Sequence, residues 1–300
     1  MIDRLRKFCG TLAVAALALA GCAPQVERAP AAGKAPAMWQ VSDEDTTITL
    51  FGTFHLLPQG QEWRTPAMES ALAGADELVM ELADTGDMNA MAGAMMTMGV
   101  SPNLPPIAER VPEEKRAELR RMIAESGMPE AVFDRLETWA AALSLAGVMF
   151  KRLGLSAQAG VETGLTAKVK ASGKPIRGLE TVEQQFGFFD TLPEEAQRAF
   201  LVGFLDDSTD MRAQFAAMLK AWSTGDVEGI AATFNDEMNM SPQLRDKLLK
   251  ERNARWAEWL ERRMASPGKS FVAVGAGHLA GRDSVQSMLK ARGLKVKRVQ

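Results

Sequence analysis

Short apolar segments alternate with longer helical patterns along the chain, and this order predicts an α/β fold. The run at residues 270–274 is apolar throughout, which is typical of a strand covered on both faces. The last segment alternates between apolar and basic residues, which is typical of an edge strand. Together these patterns predict strands at residues 46–51, 77–81, 174–179, 270–274 and 294–299.

Helical patterns fill the intervals between these strands. Proline followed by acidic residues opens helices at Pro112 and Pro193, Gly127 ends the first of these two, and Gly293 ends the last helix of the chain. Because helices separate the strands, we predict a central, mostly parallel sheet with large helical insertions that cover its face or form a cap. The predicted helices span residues 112–127, 129–152, 162–172, 193–222, 224–236, 241–265 and 281–292.

The first 21 residues have the order of a bacterial secretory signal. A basic region at Arg4–Lys7 precedes an apolar stretch that is too short for a stable transmembrane helix, and small residues then lead to Cys22. This ending resembles a lipobox, so we predict a signal peptide over residues 1–21 and lipid on Cys22. The alternatives are an ordinary signal peptide cut near Ala23 and an uncleaved anchor.

A lipidated Cys22 would tie the mature chain to the cell envelope. Thiol and amine acylation together supply more than one acyl chain, which makes the anchoring stable. Residue 23 is alanine rather than aspartate, which favours the periplasmic face of the outer membrane. Residues 22–37 contain three prolines and few large apolar groups, so we predict a flexible tether there and one folded domain over residues 38–300.

Composition narrows the classes of function. The formal net charge is -3 and no basic stripe is visible, so we expect no nucleic-acid partner. The two cysteines, Cys9 and Cys22, both precede the predicted domain, which therefore has no thiol nucleophile or disulfide. The sequence has no Gly-x-Ser-x-Gly elbow, P-loop or dinucleotide fingerprint, which disfavours serine hydrolases, NTPases and dehydrogenases. Composition leaves the oligomeric state open.

The chain has only two histidines, and both end the same short frame. His55 closes Gly52-Thr53-Phe54-His55, and His278 closes Gly275-Ala276-Gly277-His278. Each frame directly follows an apolar strand, where glycine permits a sharp turn. Because ligands of open α/β sheets bind beyond the carboxyl ends of the strands, we expect both imidazoles at that edge.

Carboxylates share this placement. Glu81 ends the second predicted strand and Glu180 ends the third. Two imidazoles and a carboxylate suit a divalent transition metal, and an open position on it could activate water. We therefore predict His55, Glu81 and His278 as ligands of Mn²⁺, Co²⁺ or Zn²⁺, with Glu180 as a further ligand or as the general base. The alternative is that these are satisfied or solvated polar groups in loops.

Glu162 is a further candidate for the general base. It follows Gly160-Val161 at the start of a predicted helix. The alternative is an acid that is stabilised there by the helix dipole.

The sequence resembles the TraB/GumN family, which is related to the Tiki membrane proteases. The resemblance covers about residues 38–300, and its long ordered set of motifs makes it specific. One departure is Phe54, where isoleucine or valine is more usual; we expect it to alter packing beneath His55 rather than the chemistry. The motifs are Met38-Trp39-Gln40-Val41-Ser42, Leu50 to Pro58, Trp63-Arg64-Thr65-Pro66, Gly173 to Thr181, Glu183-Gln184-Gln185, Glu251-Arg252-Asn253 and Phe271 to Leu279.

The resemblance implies an α/β fold of the erythromycin esterase/ChaN-like superfamily, with the paired Gly-x-x-His motifs and a glutamate at the active centre. Tiki relatives are metal-dependent peptidases, and other relatives handle peptides. The Glu251-Arg252-Asn253 motif makes Arg252 a candidate catalytic residue, which would bind an anionic group or pair with an active-site carboxylate. Its alternative is a solvated helical face.

Three functions are compatible with these residues. The first is a metal-dependent hydrolase of peptides. The second is a metal-free hydrolase with His55 as the base for water, as in erythromycin esterase-like enzymes. The third is a non-enzymatic module that binds a peptide or small ligand at the envelope.

Overall fold

A computed structural model describes residues 35–83, 88–205, 208–233 and 245–300. The predicted signal peptide, Cys22 and most of the tether lie outside these residues. Within the described ranges, no helix has both the length and the hydropathy that crossing a bilayer requires.

The centre of the fold is a six-stranded, mostly parallel sheet, as predicted. Its strand order is β6-β4-β7-β2-β1-β8, and the first four strands are mutually parallel. Strand β1 runs antiparallel to β2 and β8. A separate two-stranded ribbon pairs β3 with β5. The strands are β1 (Met38–Ser42), β2 (Thr46–Thr53), β3 (Leu57–Pro58), β4 (Glu77–Leu82), β5 (Leu155–Ser156), β6 (Ile176–Glu180), β7 (Gly268–Gly275) and β8 (Val296–Arg298).

Helices cover both faces of the sheet and form a block beside it. A π-helical turn at Asp246–Lys250 leads into α11, and a 3-10 turn at Ala276–Leu279 follows β7. The helices are α1 (Pro66–Gly74), α2 (Met88–Met98), α3 (Arg116–Ser126), α4 (Glu130–Phe133), α5 (Thr138–Arg152), α6 (Val161–Ala171), α7 (Val182–Asp190), α8 (Glu194–Gly203), α9 (Ser208–Ser223), α10 (Val227–Ala232), α11 (Glu251–Met264) and α12 (Val285–Ala291).

The apolar side chains form three cores. One face of the sheet packs on α1, α6 and α9 through residues such as Phe51 and Phe271. The other face packs on α11 and α12 through residues such as Leu50 and Val272. The third core lies within the helical block and centres on α5, whose Trp139 is fully buried. The block is the large insertion that the sequence predicts.

Each predicted strand is present within two residues of its expected bounds, and β8 is the predicted edge strand. The prediction omitted β1, whose five residues lie at the start of the domain. It also treated residues 193–222 as one helix, whereas α8 ends at Gly203 and α9 begins at Ser208, and residues 129–152 as one helix, whereas α4 ends at Phe133 and α5 begins at Thr138. The interruption arises because Leu136 bridges Val100 and the Glu137 N–H donates to the Gly99 carbonyl, which takes this segment out of the helical ladder.

The last predicted helix starts later than expected. Residues after His278 turn before Ser284, and α12 covers only Val285–Ala291. Gly293 does follow it with a φ of 86°, the left-handed conformation typical of a helix end. The predicted ends of the helices at 224–236 and 241–265 fall partly outside the described residues.

Candidate active site

Side chains from four parallel strands meet at the carboxyl edge of the sheet. His55 follows β2, Glu81 is the penultimate residue of β4, Glu180 ends β6 and His278 follows β7. Glu81 Oε1 lies 4.0 Å from His55 Nε2 and 3.9 Å from His278 Nε2. The two histidines therefore share one site, as the matched frames predict.

The glycines of the two frames are needed for space. A Cβ on Gly275 would lie 3.2 Å from Glu81 Oε1 and 3.6 Å from His55 Nε2. The Gly275 N–H donates to Glu81 Oε1 at 2.8 Å, so the backbone itself approaches the carboxylate. A Cβ on Gly52 would lie 3.2 Å from the Ala276 Cα, because the two frames pack against each other. A Cβ at either position would be closer than an ordinary van der Waals contact, so its neighbours would have to move by a few tenths of an ångström.

Arg252 lies at the centre of the cluster and is 1% exposed. Its Nε donates to Glu180 at 3.0 Å, and its Nη2 donates to Glu180 Oε2 at 2.7 Å and to Glu81 Oε2. Its Nη1 donates to the Leu248 carbonyl at 3.2 Å and lies 3.1 Å from His278 Nε2. These contacts use all five N–H groups of the guanidinium. Arg252 thus pairs with carboxylates and has no donor left for an anionic substrate, and it does not lie on a solvated face.

Glu180 is held as firmly as Arg252. Besides the guanidinium, Glu180 Oε1 accepts from Trp256 Nε1 at 3.2 Å, and Glu180 Oε2 accepts from Gln185 Nε2 at 3.3 Å. Thr181 caps α7 directly after it, through reciprocal hydrogen bonds with Gln184. Both carboxylate oxygens of Glu180 are therefore engaged, which suits a residue that positions Arg252.

Glu81 is ionised in this setting. Burial alone would raise the pKa of its carboxyl, but Arg252, the two histidines and the Gly275 N–H outweigh burial and lower it to about 2. A negative charge next to two imidazole rings is thus a fixed feature of the site.

His278 is neutral, and its tautomer follows from its neighbours. Asn253 Nδ2 donates to the Asp283 carbonyl at 2.8 Å, which leaves Asn253 Oδ1 to accept from His278 Nδ1 at 2.6 Å. With its proton on Nδ1, the ring accepts at Nε2 from Arg252. Burial and the Arg252 charge lower the pKa of His278 to about 3.

His55 has a different environment. Its Nδ1 lies 2.7 Å from Glu162 Oε1, and its side chain is 19% exposed. Burial would lower the pKa of His55, but the neighbouring Glu162 and Glu81 outweigh it and raise the pKa to about 9. Its Nε2 has no hydrogen-bond partner in the described part of the chain. His55 is therefore the group of this cluster with an unpartnered ring nitrogen; Nε2 itself is buried, although the side chain as a whole is partly exposed.

The start of α6 docks on the first frame, and this brings Glu162 to His55. The Val161 N–H donates to the Phe54 carbonyl at 3.0 Å. A Cβ on Gly160 would lie 2.1 Å from the His55 carbonyl oxygen, so no other residue fits there. Phe54 itself packs on the Trp222 ring at 5.0 Å, beneath the frame, where the sequence predicts its effect.

The model of the TraB/PrgY/gumN family matches residues 37–298. The chain belongs to the TraB/PrgY/gumN family. The uncharacterized protein YbaP of Escherichia coli (strain K12) and that of Shigella flexneri are each 27% identical over 246 residues, which is 80% of this chain and 87% of theirs. No solved structure is significantly similar.

The side chains of this TraB/PrgY/gumN member suit a metal by type but not by arrangement. Arg252 occupies the lone pair of His278 Nε2, and no group of three or more His, Cys, Asp or Glu side chains is placed to hold an ion in the described ranges. The separations of 4.0 and 3.9 Å also exceed the roughly 3.4 Å between ligands of a tetrahedral zinc site. The residues do not fit a metal centre without a change at Arg252, and the metal stays a prediction.

Three members of the site were present in the sequence without an assigned role. Trp256 lies one turn after Arg252 on α11 and so shares its helix face, and Asn253 directly follows Arg252 in the same motif. Gln185 lies one turn after Thr181 and bridges Glu81 and Glu180 at 3.3 Å each. Spacing from Arg252 and Glu180 was the signal that could have found them.

Proposed function

We propose that this protein is a metal-free hydrolase in which His55 activates water. The observation that carries the proposal is the environment of His55: Nδ1 faces the Glu162 carboxylate at 2.7 Å, and Nε2 is a buried nitrogen without a hydrogen-bond partner among the described residues, 4.0 Å from Glu81. A carboxylate on one ring nitrogen orients the ring and stabilises its protonated form, which is what a general base requires. Peptides are the proposed substrates, because the family resemblance points to peptide handling.

Each residue then has a role. A water molecule can hydrogen-bond to His55 Nε2 and Glu81 Oε1 at once, since atoms 4.0 Å apart both lie within reach of it. Neutral His55, the form that predominates above its pKa of about 9, takes a proton from this water as it attacks the carbonyl carbon, and Glu162 stabilises the imidazolium. The protonated ring then returns the proton to the leaving amine. Arg252, Glu180 and His278 hold Glu81 in place.

The test is digestion of a synthetic peptide pool after exhaustive chelation, with cleavage read by mass spectrometry. Wild-type protein should cut, and His55→Gln should lose about 10²-fold or more of the rate. Glu258→Gln, an exposed acid on α11, is the matched control and should cut like wild type. Absence of cleavage together with a peptide retained unchanged would instead favour the non-enzymatic binding module.

A metal-dependent hydrolase is the second candidate, favoured by the convergence of His55, Glu81 and His278 around Gly275. These three residues would hold the ion, and Arg252 would have to release His278 Nε2. Binding of Co²⁺, followed by absorption spectroscopy, tests this candidate. Binding that His55→Ala and His278→Ala both abolish would support it, and equal binding by all three proteins would contradict it.

We further propose, from the sequence around Cys22, that the mature protein is anchored by lipid at the periplasmic face of the outer membrane. Mass spectrometry of the N-terminal peptide should find an acylated Cys22. A Cys22→Ser variant should leave the membrane fraction, and an unmodified N-terminus beginning elsewhere would contradict the anchor.

A further inference from the structure

A groove of about 830 Å³ lies along β6, outside the cluster of His55 and Glu81. Strand β6 is at the edge of the sheet and, in the described part of the chain, pairs only with β4. Arg177 and Gly178 of β6 line one side of the groove, and Trp259 and Arg262 of α11 line the other. The groove thus lies between an open strand and a helix.

The backbone of β6 presents hydrogen-bonding groups to this edge. The Leu78 N–H of β4 donates to the Pro175 carbonyl at 3.0 Å, which fixes the register. Alternation along a parallel strand then turns the peptide groups of Arg177 and Leu179 toward β4. The peptide groups of Ile176, Gly178 and Glu180 face the open edge, where another strand could pair with them.

The facing helix carries a stripe of cations and an indole. Arg255, Trp259 and Arg262 are spaced by four and three residues, so they share one face of α11. Arg255 Nη2 lies 3.6 Å from Glu180 Oε1 at the end of β6, and its side chain is 50% exposed. Arg262 lies at the other end of the stripe and is 64% exposed. The stripe therefore follows β6 over its length.

A third cation comes from β6 itself. Glu77, which is buried, accepts from Arg177 Nε at 2.7 Å, while the Arg177 side chain stays 63% exposed. The carboxylate thereby orients the guanidinium, and its terminal nitrogens remain at the groove. Two acids also line the groove, but Glu77 is paired with Arg177 and Arg263, and Asp76 accepts from the Lys269 N–H. Charged residues on an edge strand deter unselective pairing, and the exposed arginines favour acidic strands as partners.

We propose that this groove binds an extended, acidic peptide as an added strand on β6. Backbone hydrogen bonds would supply affinity, and the arginines and Trp259 would select the side chains. The inference rests on the proposed function, because β6 ends at Glu180, which Arg252 joins to Glu81. A peptide paired with β6 is thus led to the edge of the sheet where His55 lies.

The test uses the full chain with His55→Ala, which prevents cleavage. The probe is a fluorescent, acetylated nonapeptide that alternates glutamate and valine, and binding is measured by anisotropy. Arg262→Glu should weaken binding about tenfold and Arg177→Gln about threefold. The matched control is Arg121→Glu on α3. The Arg121 side chain is 65% exposed and pairs with Glu118 on its own helix, just as Arg262 pairs with Glu258 on α11. It should change binding less than about twofold.

A second probe tests the backbone pairing. N-methylation of alternate peptide nitrogens on one edge should abolish binding, because those N–H groups would pair with β6. Circular dichroism checks that each variant is folded. Any one of three results would overturn the proposal. These are an Arg262→Glu variant that binds the probe as tightly as the parent protein, an N-methylated probe that binds as tightly as the parent probe, and a parent probe that does not bind up to millimolar concentration.

The outcomes separate docking from catalysis. A probe that binds in the groove but is not cut by wild-type protein would support the docking site and contradict the proposed hydrolase. Peptide cleavage that is equally efficient in wild type, Arg262→Glu and Arg177→Gln would support the hydrolase and contradict the docking site.

Discussion

Strand β4 and helix α11 meet in two ion-paired clusters, one at each edge of the sheet. At the amino edge, Glu77 of β4 accepts from Arg263 Nε at 2.8 Å, Arg177 Nε at 2.7 Å and Ser270 Oγ at 2.7 Å. At the carboxyl edge, Glu81 of the same strand binds Arg252 of the same helix. Both glutamates are buried, and at both the neighbouring arginines overcome burial and lower the pKa.

The two clusters differ in which polar atoms remain without a hydrogen-bond partner. Both oxygens of Glu77 are satisfied, and no imidazole is near, so that cluster ties strand to helix. The carboxyl-edge cluster also satisfies Glu81 and Glu180, yet His55 Nε2 and both oxygens of Glu162 lack a hydrogen bond among the described residues, and Glu162 Oε1 has only its ion-pair contact with His55 Nδ1. Buried groups of this kind are costly unless they serve a ligand or reaction. Unsatisfied groups, rather than the density of charge, therefore distinguish the candidate site.

Removal of the central arginine should give the largest effect. Arg252→Ala leaves two buried carboxylates without a cation, and we expect the free energy of unfolding to fall by about 3–5 kcal/mol. Arg263→Ala at the other edge leaves Arg177 on Glu77, and we expect a loss of only about 1 kcal/mol. Urea unfolding of both variants at pH 7 measures the contrast. Equal losses would mean that the two clusters are energetically alike.

Alkaline pH should affect only the carboxyl edge. The pKa of His55 rises from 6.5 to about 9 on folding, so its stabilisation is complete below pH 6.5 and is lost as pH rises through 9. We expect up to about 3 kcal/mol of loss across this window. Below pH 6.5, His278, with its pKa lowered to about 3, favours the unfolded chain instead, and Glu81 adds to this loss below about pH 4.5.

Urea unfolding between pH 5 and 10 measures this dependence. His55→Gln should remove the alkaline loss and keep the acid loss. Glu77→Gln should change neither limb above pH 5, because the lowered pKa of the Glu77 carboxyl keeps it ionised over that range. An alkaline loss that persists in His55→Gln would assign it to another group.

The comparison also marks what the sequence could predict. Strand ends are visible as apolar runs followed by Gly-x-x-His or a glutamate, so the meeting of His55, Glu81, Glu180 and His278 was predictable. Pairing of Arg252 with an active-site carboxylate was one of two predicted roles, beside the alternative of a solvated helical face, and only coordinates could choose among them. The use of all its N–H groups was not predictable, because it depends on ångström-scale contacts between segments more than 70 residues apart.

The docking of Glu162 on His55 illustrates the same limit. The local pattern fits an acid at a helix start equally well, and the contact exists because Gly160 lets α6 approach the His55 backbone. The break between α4 and α5 has a similar cause, since the bond from Glu137 to Gly99 crosses between elements. Tertiary contacts of this kind leave no periodic signal in the sequence.

Glu162→Gln should sharpen the contrast between a helix-start acid and a catalytic partner. Loss of the charge next to His55 Nδ1 should lower the rate of peptide cleavage about 10²-fold, and it should also remove part of the stabilisation that protonated His55 contributes. Glu183→Gln is the matched control, because Glu183 is an exposed acid in the first turn of α7. Rate measurements on both variants decide the point. A rate for Glu162→Gln equal to that of the control would return Glu162 to a helix-dipole role.

The smallest effect is expected at the amino edge. Glu77→Gln keeps a hydrogen-bonding group for Ser270 but leaves Arg263 and Arg177 without their carboxylate. Because Arg177 is mostly exposed and Arg263 also donates to the Ser266 carbonyl, we expect a loss of about 1–2 kcal/mol in unfolding free energy. Turnover of Glu77→Gln at saturating peptide should stay within about twofold of wild type. Glu81→Gln, the same substitution further along β4, should abolish turnover. Steady-state kinetics on the two variants measure this difference. If Glu77→Gln also abolished turnover, the reaction could not be assigned to the carboxyl edge alone, where the unpartnered Nε2 of His55 lies.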